Sequence, residues 1–292
     1  MSYVLRMNIS IASKLIMPEF GLTQVQMGQI FASFMLGYAL FQIPAGILGD
    51  RWGPKLVLTL AGIWWGITTM LTACVPGILT RSSIGAFAAL VVTRFFLGVG
   101  EAATYPVATR AIANWVSASG RALANAVVIA GATVGSAITA PLIAWLMIHH
   151  GWKLSFYITG FAAFLLSLVW WIQSTDSPDH KKVRTEPRFN HELDGTKHDA
   201  IPRAVRTQWK MVIRNQNLWI LAISYMFDSY VLFIFVFWLY TYLTDVRGFS
   251  LLRGGLFTSL PFVAASIMTP IGGYLCDRCC VQFGARRGRR IA

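Results

Sequence analysis

Five stretches of the chain contain no Lys, Arg, Asp or Glu: residues 20–49, 56–80, 122–152, 154–175 and 254–276, which are 30, 25, 31, 22 and 23 residues long. A hydrocarbon layer about 30 Å thick is crossed by roughly 20 helical residues rising 1.5 Å each, so every one of these stretches can cross a bilayer once. Two more crossings appear when a few interior charges are tolerated: 85–109, with Arg94 and Glu101, and 215–244, with Asp228. Only 13% of the residues are charged, against about 25% in an ordinary soluble domain. The expectation is an all-α membrane protein with seven full spans.

The opening segment, Tyr3 to Met17, is apolar but short, is interrupted by Arg6 and Lys14, and has no Ala-x-Ala-like cleavage site. It reads as the far half of a helix whose beginning is absent. Counting it as the first span makes the others spans 2 to 8, and the loops then alternate between two sides. Loops 50–55, 110–121, 176–214 and 276–292 hold 18 Lys and Arg, whereas the opposite set holds only Lys14, Arg81, Lys153, Arg247 and Arg253. That asymmetry places the first set in the cytoplasm. The net charge of +13 is therefore a topology signal, and a nucleic-acid partner is not expected because the basic residues are scattered over four loops. Residues 176–214, with nine basic and six acidic residues and three prolines, read as a cytoplasmic linker. The expected division is an amino-terminal bundle at 1–175, the linker at 176–214, and the start of a second bundle with a basic tail at 215–292.

An offset of 227 residues reveals an internal repeat. Gly21 falls on Gly248, Gly28 on Gly255, and Gly46-x-Leu48-x-Asp50-Arg51 on Gly273-x-Leu275-x-Asp277-Arg278, without a gap. Six identities in thirty-one positions is a low number, but they lie at the two ends of a span and in the turn after it.

The turn Gly46-Ile-Leu-Gly-Asp50-Arg51-Trp-Gly53-Pro-Lys55 resembles the signature between the second and third helices of the major facilitator superfamily, echoed between the eighth and ninth. Three further stretches resemble its anion:cation symporter branch, which includes transporters for galactonate, glucarate, hexuronates and related organic acids. They are Gly37-Tyr38-Ala-Leu-Phe-Gln42-Ile-Pro44-Ala-Gly46, the run from Arg94 through Gly98 and Glu101 to Pro106, and Trp152 to Gly160. The resemblance implies a major facilitator fold, cut at both ends: an amino-terminal bundle with its first helix incomplete, then two helices of the carboxy-terminal bundle. It also implies a monomeric multi-pass protein of the cell (inner) membrane that works by alternating access. The implied activity is secondary transport of a small organic anion, such as a sugar acid or other carboxylate, coupled to protons.

Physical chemistry singles out the same residues. Span 4 places Arg94, Gly98, Glu101 and Tyr105 at i, i+4, i+7 and i+11, a single helical stripe. An ionised side chain at bilayer depth costs at least about 2.5–3.5 kcal/mol, so Arg94 and Glu101 are expected to line a wet cavity or to have partners of opposite charge. Seven residues separate their Cα atoms by about 10 Å, so Glu101 is expected to face another span, where Arg6 is the available cation. A guanidinium suits a carboxylate, and a partly desolvated Glu can take and release a proton. The resemblance implies substrate binding by Arg6, in Arg6-Met-Asn8-Ile-Ser10, with Tyr38, Gln42 and Arg94. It implies a latch at Gly46, Asp50, Arg51 and Gly53, with Asp277 and Arg278 as its second copy. Two departures stand out: Leu5 where the branch often has Asp, and Ala132 where some members have Gln. Proton coupling then falls to Glu101, or to Asp228, which could equally pair with Arg6 or an interior Tyr.

Gly131-x-x-x-Gly135 reads as a close helix-packing site. Cys276-x-x-Cys279 lacks a second ligand pair, so neither a metal nor a cofactor is expected. An enzyme is not expected either: no nucleophile, metal-ligand or phosphate-loop constellation occurs, and His149, His150, His180, His191 and His198 lie in loops or at span ends. Two other classes stay open, a non-transporting fragment of such a transporter and a multi-span receptor, and the 227-residue repeat argues against the receptor.

Overall fold

The computed structural model of the chain describes residues 1–78, 82–117, 121–176 and 214–284. Almost all of the expected linker and the last basic residues lie outside them. Every regular element among the described residues is helical: α1 (Ser2–Phe20), α2 (Gln24–Trp52), α3 (Pro54–Ile78), α4 (Ser83–Glu101), α5 (Thr104–Trp115), α6 (Arg121–Gln173), α7 (Gln216–Thr241) and α8 (Leu251–Phe283). Between α7 and α8 lies a π-helical turn, Tyr242–Val246. The chain forms two compact units, Met1–Ser177 with Val236–Ala292, and Pro178–Phe235. The described part of the second unit is residues 214–235, the first turns of α7, and all packing described below belongs to the first unit.

Length and apolarity make crossings of α2, of α3, of α4 with α5, of α6, of α7 with its π turn, and of α8. The apolar part of α6, Leu123–Gln173, holds 51 residues and would rise about 77 Å if straight, enough for two crossings. It breaks at Gly151 (φ 78°, ψ 163°), which separates a first limb, 121–150, from a second, 152–173. Seven crossings result, and large apolar side chains such as Leu36, Ile43, Ile67, Ile138 and Phe161 point outward, as a lipid-facing surface requires.

Two expected boundaries move. The first helix continues three residues past Met17, through Pro18, and stops where Gly21 turns left-handed (φ 63°). Span 4 is not continuous: Ala102 and Ala103 separate α4 from α5. Pro106 explains the break, because it has no N–H for the Ala102 carbonyl and its ring crowds that turn. The Thr104 hydroxyl takes over the Glu101 carbonyl, donating to it at 2.8 Å. The stripe expected from Arg94 to Tyr105 is therefore divided between two helices, Arg94, Gly98 and Glu101 on α4 and Tyr105 in the first turn of α5.

The repeat is visible in the helix ends. Gly21 and Gly248 both have positive φ (63° and 68°), and Thr23 and Ser250 are the N-caps of α2 and α8. At the far ends, Gly53 (φ 83°, ψ 153°) stops α2 and Gly284 (φ 79°, ψ 154°) stops α8. The position 227 after Gly53 is Cys280, which resists that conformation, so α8 runs one turn further. Asp277 and Arg278 consequently sit inside α8, whereas Asp50 and Arg51 sit in the last turn of α2.

Close approaches of backbone hold the bundle. A methyl group at Gly98 would lie 2.1 Å from the Phe34 carbonyl oxygen, and one at Gly37 would lie 2.3 Å from that of Phe95, so α2 and α4 touch through these two glycines. Gly66 and Gly160 do the same for α3 and the second limb of α6, each facing the other's carbonyl oxygen at 2.8 and 2.9 Å. Gly131-x-x-x-Gly135 does not: among the described residues a methyl at Gly131 would meet nothing within 4 Å, and one at Gly135 only the Tyr3 Cβ at 4.0 Å. The first limb of α6 meets α8 instead through Ala140 and Ala144, which face Gly255. Gly98→Ala is expected to cost about 1–3 kcal/mol by forcing α2 and α4 apart, lowering the thermal midpoint in detergent by several degrees. Gly131→Ala should stay within about 0.5 kcal/mol of the parent.

Candidate functional site

The centre of the first unit is α1, which buries eleven residues, Arg6, Asn8, Ser10 and Ser13 among them. Polar groups sunk this deeply need partners. Ser10 and Ser13 donate back to the carbonyls of Met7 and Ser10 at 2.8 and 2.7 Å, satisfying themselves within the helix. Arg6 reaches across to α4, where its Nη2 and Nε donate to Glu101 Oε2 at 2.9 and 3.2 Å. Both side chains are inaccessible, Arg6 at 3% and Glu101 at 0% exposure. Three aromatic rings surround the guanidinium: its Cζ lies 4.6 Å from the centre of Tyr3, 4.9 Å from Tyr38 and 5.1 Å from Phe34. The second carboxylate oxygen, Glu101 Oε1, has no partner among the described residues.

Arg94 lies seven residues, two turns, before Glu101, and it does not reach that carboxylate. Its Nη1 donates to the Leu5 carbonyl at 3.0 Å and its Nη2 to Asn8 Oδ1 at 2.9 Å, while Phe156 stacks 5.3 Å from its Cζ. Arg94 thus ties α4 to the backbone of α1 and brings a second buried cation to the Arg6–Glu101 pair. The amide Nδ2 of Asn8 and the Nε of Arg94 have no partner among the described residues. A cavity of about 310 Å³ adjoins Tyr3 and is walled by Trp65, Thr104, Tyr105, Gly131 and Ala132. Ala132 offers this wall only a methyl.

The other residues singled out from sequence fall in three places. Tyr38 and Gln42 are half-buried, one turn apart on α2, and Tyr38 alone reaches the Arg6 cage. Asp228 is exposed on α7, in the other unit. The latch residues lie at the end of α2. Gly53 turns the chain, and Asp50 is exposed and 3.5 Å from Arg110 of α5, so its cation is Arg110 rather than the adjoining Arg51, which is also exposed. The carboxylate at the start of α3 is not Asp50 but Asp176: its Oδ1 accepts from the Lys55 N–H at 2.8 Å, beside Gly53. Gly46 packs beside Pro106, Arg278 is exposed on α8, and the side chain of Asp277 lies outside the description.

Sequence reasoning missed Tyr3 and Phe34, Asp176, and a set of contacts at the opposite end of α1. There Lys14 pairs with Asp245 of the π turn, and the Ser13 and Thr241 hydroxyls are 3.5 Å apart. Phe31 of α2 stacks on Phe237 at 4.8 Å, and Glu19 pairs with Lys153 at 2.9 Å and accepts from Trp152. A faint signal existed for Tyr3, which is three residues before Arg6 and therefore on its helix face.

Comparison with known proteins agrees with this architecture. The Major Facilitator Superfamily description matches residues 1–292. A probable sulfoacetate transporter of Cupriavidus necator is 34% identical, the alignment covering 100% of this chain and 65% of that protein. The D-galactonate transporter of Escherichia coli is 28% identical over 94% of this chain and 64% of its own, and the hexuronate transporter of Bacillus subtilis 27% identical over 94% and 61%. The chain thus spans less than two thirds of the length of these relatives. Among solved structures, a bacterial homolog of the human lysosomal transporter Spinster superimposes with a TM-score of 0.71 at 21% identity, covering 98% of this chain and 60% of that one. A D-xylose-proton symporter gives 0.62 at 13% identity, covering 95% and 67%. These relatives are transporters, not enzymes, and the chain belongs to the major facilitator superfamily.

Proposed function

We propose that the chain contributes the substrate- and proton-binding half of a secondary transporter for a small organic anion. The observation that carries this is the pair formed by Arg6 and Glu101, 2.9 Å apart and shut away from solvent. A guanidinium that holds one carboxylate through two N–H groups can hold a substrate carboxylate the same way, so the anion and Glu101 compete for Arg6. When the anion wins, Glu101 is left as a desolvated carboxylate, which a proton neutralises. Anion and proton then travel together by electrostatics alone. Arg94 supplies further positive charge while staying tied to α1, Tyr38 and Gln42 extend the site along α2, and the 310 Å³ cavity lies on the far side of Tyr3, whose ring stands over Arg6. The names of the relatives, sulfoacetate, galactonate and hexuronate transporters, point to the same substrate class.

The division into an amino-terminal bundle at 1–175, a linker at 176–214 and the start of a second bundle at 215–292 goes with this function, because alternating access needs two halves about a central site. So does a monomer in the cell (inner) membrane, with the linker and basic tail in the cytoplasm, the side favoured by 18 Lys and Arg. Asp50 with Arg110, and Asp176 at the start of α3, form the cytoplasmic latch, and Lys14 with Asp245 closes the opposite end.

In proteoliposomes loaded with the protein and supplied with labelled sulfoacetate or D-galactonate, an inward proton gradient should drive accumulation. Arg6→Ala should abolish binding and uptake, since it removes the charge that receives the substrate and leaves Glu101 buried and unpaired, at a cost of about 3–5 kcal/mol in stability. Glu101→Gln mimics the protonated acid: exchange should persist while gradient-driven accumulation disappears. Wild-type accumulation by Glu101→Gln would move the coupling carboxylate elsewhere, with Asp228 next to be changed, and sodium-driven uptake would rule out proton coupling.

A further inference from the structure

Any cycle in which Glu101 is neutralised leaves Arg6 with a problem. The guanidinium is 3% exposed, and after the substrate anion has left and before Glu101 gives up its proton it has no carboxylate to face among the described residues. Arg94, two turns from Glu101 on the same helix, adds repulsion rather than relief. An unpaired buried cation would normally pull water into the site or swing away from it.

We propose that Tyr3, Phe34 and Tyr38 form an aromatic cage that holds the Arg6 charge in place whenever Glu101 is neutral, which makes Tyr3 and Phe34 positioning residues for the coupled site. The inference rests on the proposed role of Glu101 as the group that gains and loses the proton. The three ring centres lie 4.6, 5.1 and 4.9 Å from the Arg6 Cζ, inside the roughly 6 Å over which the negative face of a ring attracts a cation. The ring faces of Tyr3 and Phe34 attract the charge of the guanidinium without occupying its N–H groups. The same N–H groups can therefore pass from Glu101 to a substrate carboxylate while the group itself stays still. Arg94 shows the contrast: it has one ring, Phe156, and its two terminal nitrogens are both taken by α1, so it is fixed.

The cage is also well anchored. Phe34 and Tyr38 are one turn apart on α2 with their rings stacked 6.2 Å apart at 19°. The carbonyl of Phe34 is the atom against which Gly98 packs, so the cage on α2 is registered directly to the helix that carries Glu101. Tyr3 closes the third side from the first turn of α1, three residues before Arg6.

A double-mutant cycle on the purified protein in detergent micelles, read by thermal unfolding, tests this. With the cage intact, Glu101→Gln should be tolerated, because the rings retain the cation. In the Phe34→Leu or Tyr38→Leu background, adding Glu101→Gln should lower the midpoint by at least about 3 °C beyond the sum of the single changes. Tyr38→Phe keeps the ring and should show no such excess, and the coupling should vanish when Arg6 is replaced by Met. Tyr38 is only half-buried, so its variants fold even if those at buried Phe34 do not. Additive midpoints, or a Tyr38→Phe variant as coupled as Tyr38→Leu, would overturn the cage. Absence of sulfoacetate and D-galactonate uptake would remove the transport function and leave the cycle to decide the cage, whereas additive midpoints with normal uptake would remove the cage alone.

Discussion

Two charges, Arg6 and Glu101, sit where charges are most expensive, and the rest of the bundle is arranged so that they can stay there. Removing an ion pair from water costs several kcal/mol per ion, and their mutual attraction offsets it only with good geometry and further partners. Here the geometry is two N–H groups on one oxygen and the further partners are three rings. The arrangement is left incomplete in one respect, at Glu101 Oε1. Replacing a buried ion pair with apolar side chains of similar volume is often neutral or better, so stability alone is a weak reason for this one to be there.

The helices position that pair by contact rather than by propensity. Gly37 and Gly98 let α2 and α4 touch, which brings Phe34 and Tyr38 to one side of Arg6 and Glu101 to the other. The proline-induced break after Glu101 ends α4 at that residue, so that its carboxylate leaves from a helix terminus instead of a regular turn. Arg94 clamps Leu5 and Asn8, fixing the height of α1 relative to α4. At the two ends of the bundle, different charges do simpler work in water: Asp50 with Arg110, where both side chains are exposed, and Lys14 with Asp245. Exposed pairs of this kind are worth about 0–1 kcal/mol each, small enough to be broken and remade.

Much of this was legible in the residues. Uncharged stretches located the spans because lipid excludes charge, and the distance of about 10 Å between Arg94 and Glu101 along a helix disfavoured their pairing and pointed Glu101 toward Arg6. Three things were not legible. The split at Ala102 depends on Pro106, whose effect four residues upstream a charge count passes over. Asp176 reads from sequence as the start of a linker, since nothing local says that chain returning from α6 supplies the carboxylate beside Gly53. The small-residue pattern at Gly131 and Gly135 names no partner, and close packing occurs at Gly98 and Gly160 instead. Tyr3, Phe34 and Tyr38 converge from two helices, and pattern along one helix cannot show which other helix it will face.

The proposed competition of substrate and Glu101 for a single guanidinium has a direct thermodynamic signature. If a bound carboxylate displaces Glu101 from Arg6, binding must be accompanied by proton uptake, and the heat of binding must then depend on the buffer that gives up the proton. Titration calorimetry of sulfoacetate or D-galactonate into the purified protein, in two buffers of very different ionisation enthalpy, measures it. The expected result is uptake of about one proton per bound anion by the wild type, and none by Glu101→Gln. An anion that binds the wild type with the same heat in both buffers would contradict the coupling of Arg6, Glu101 and substrate.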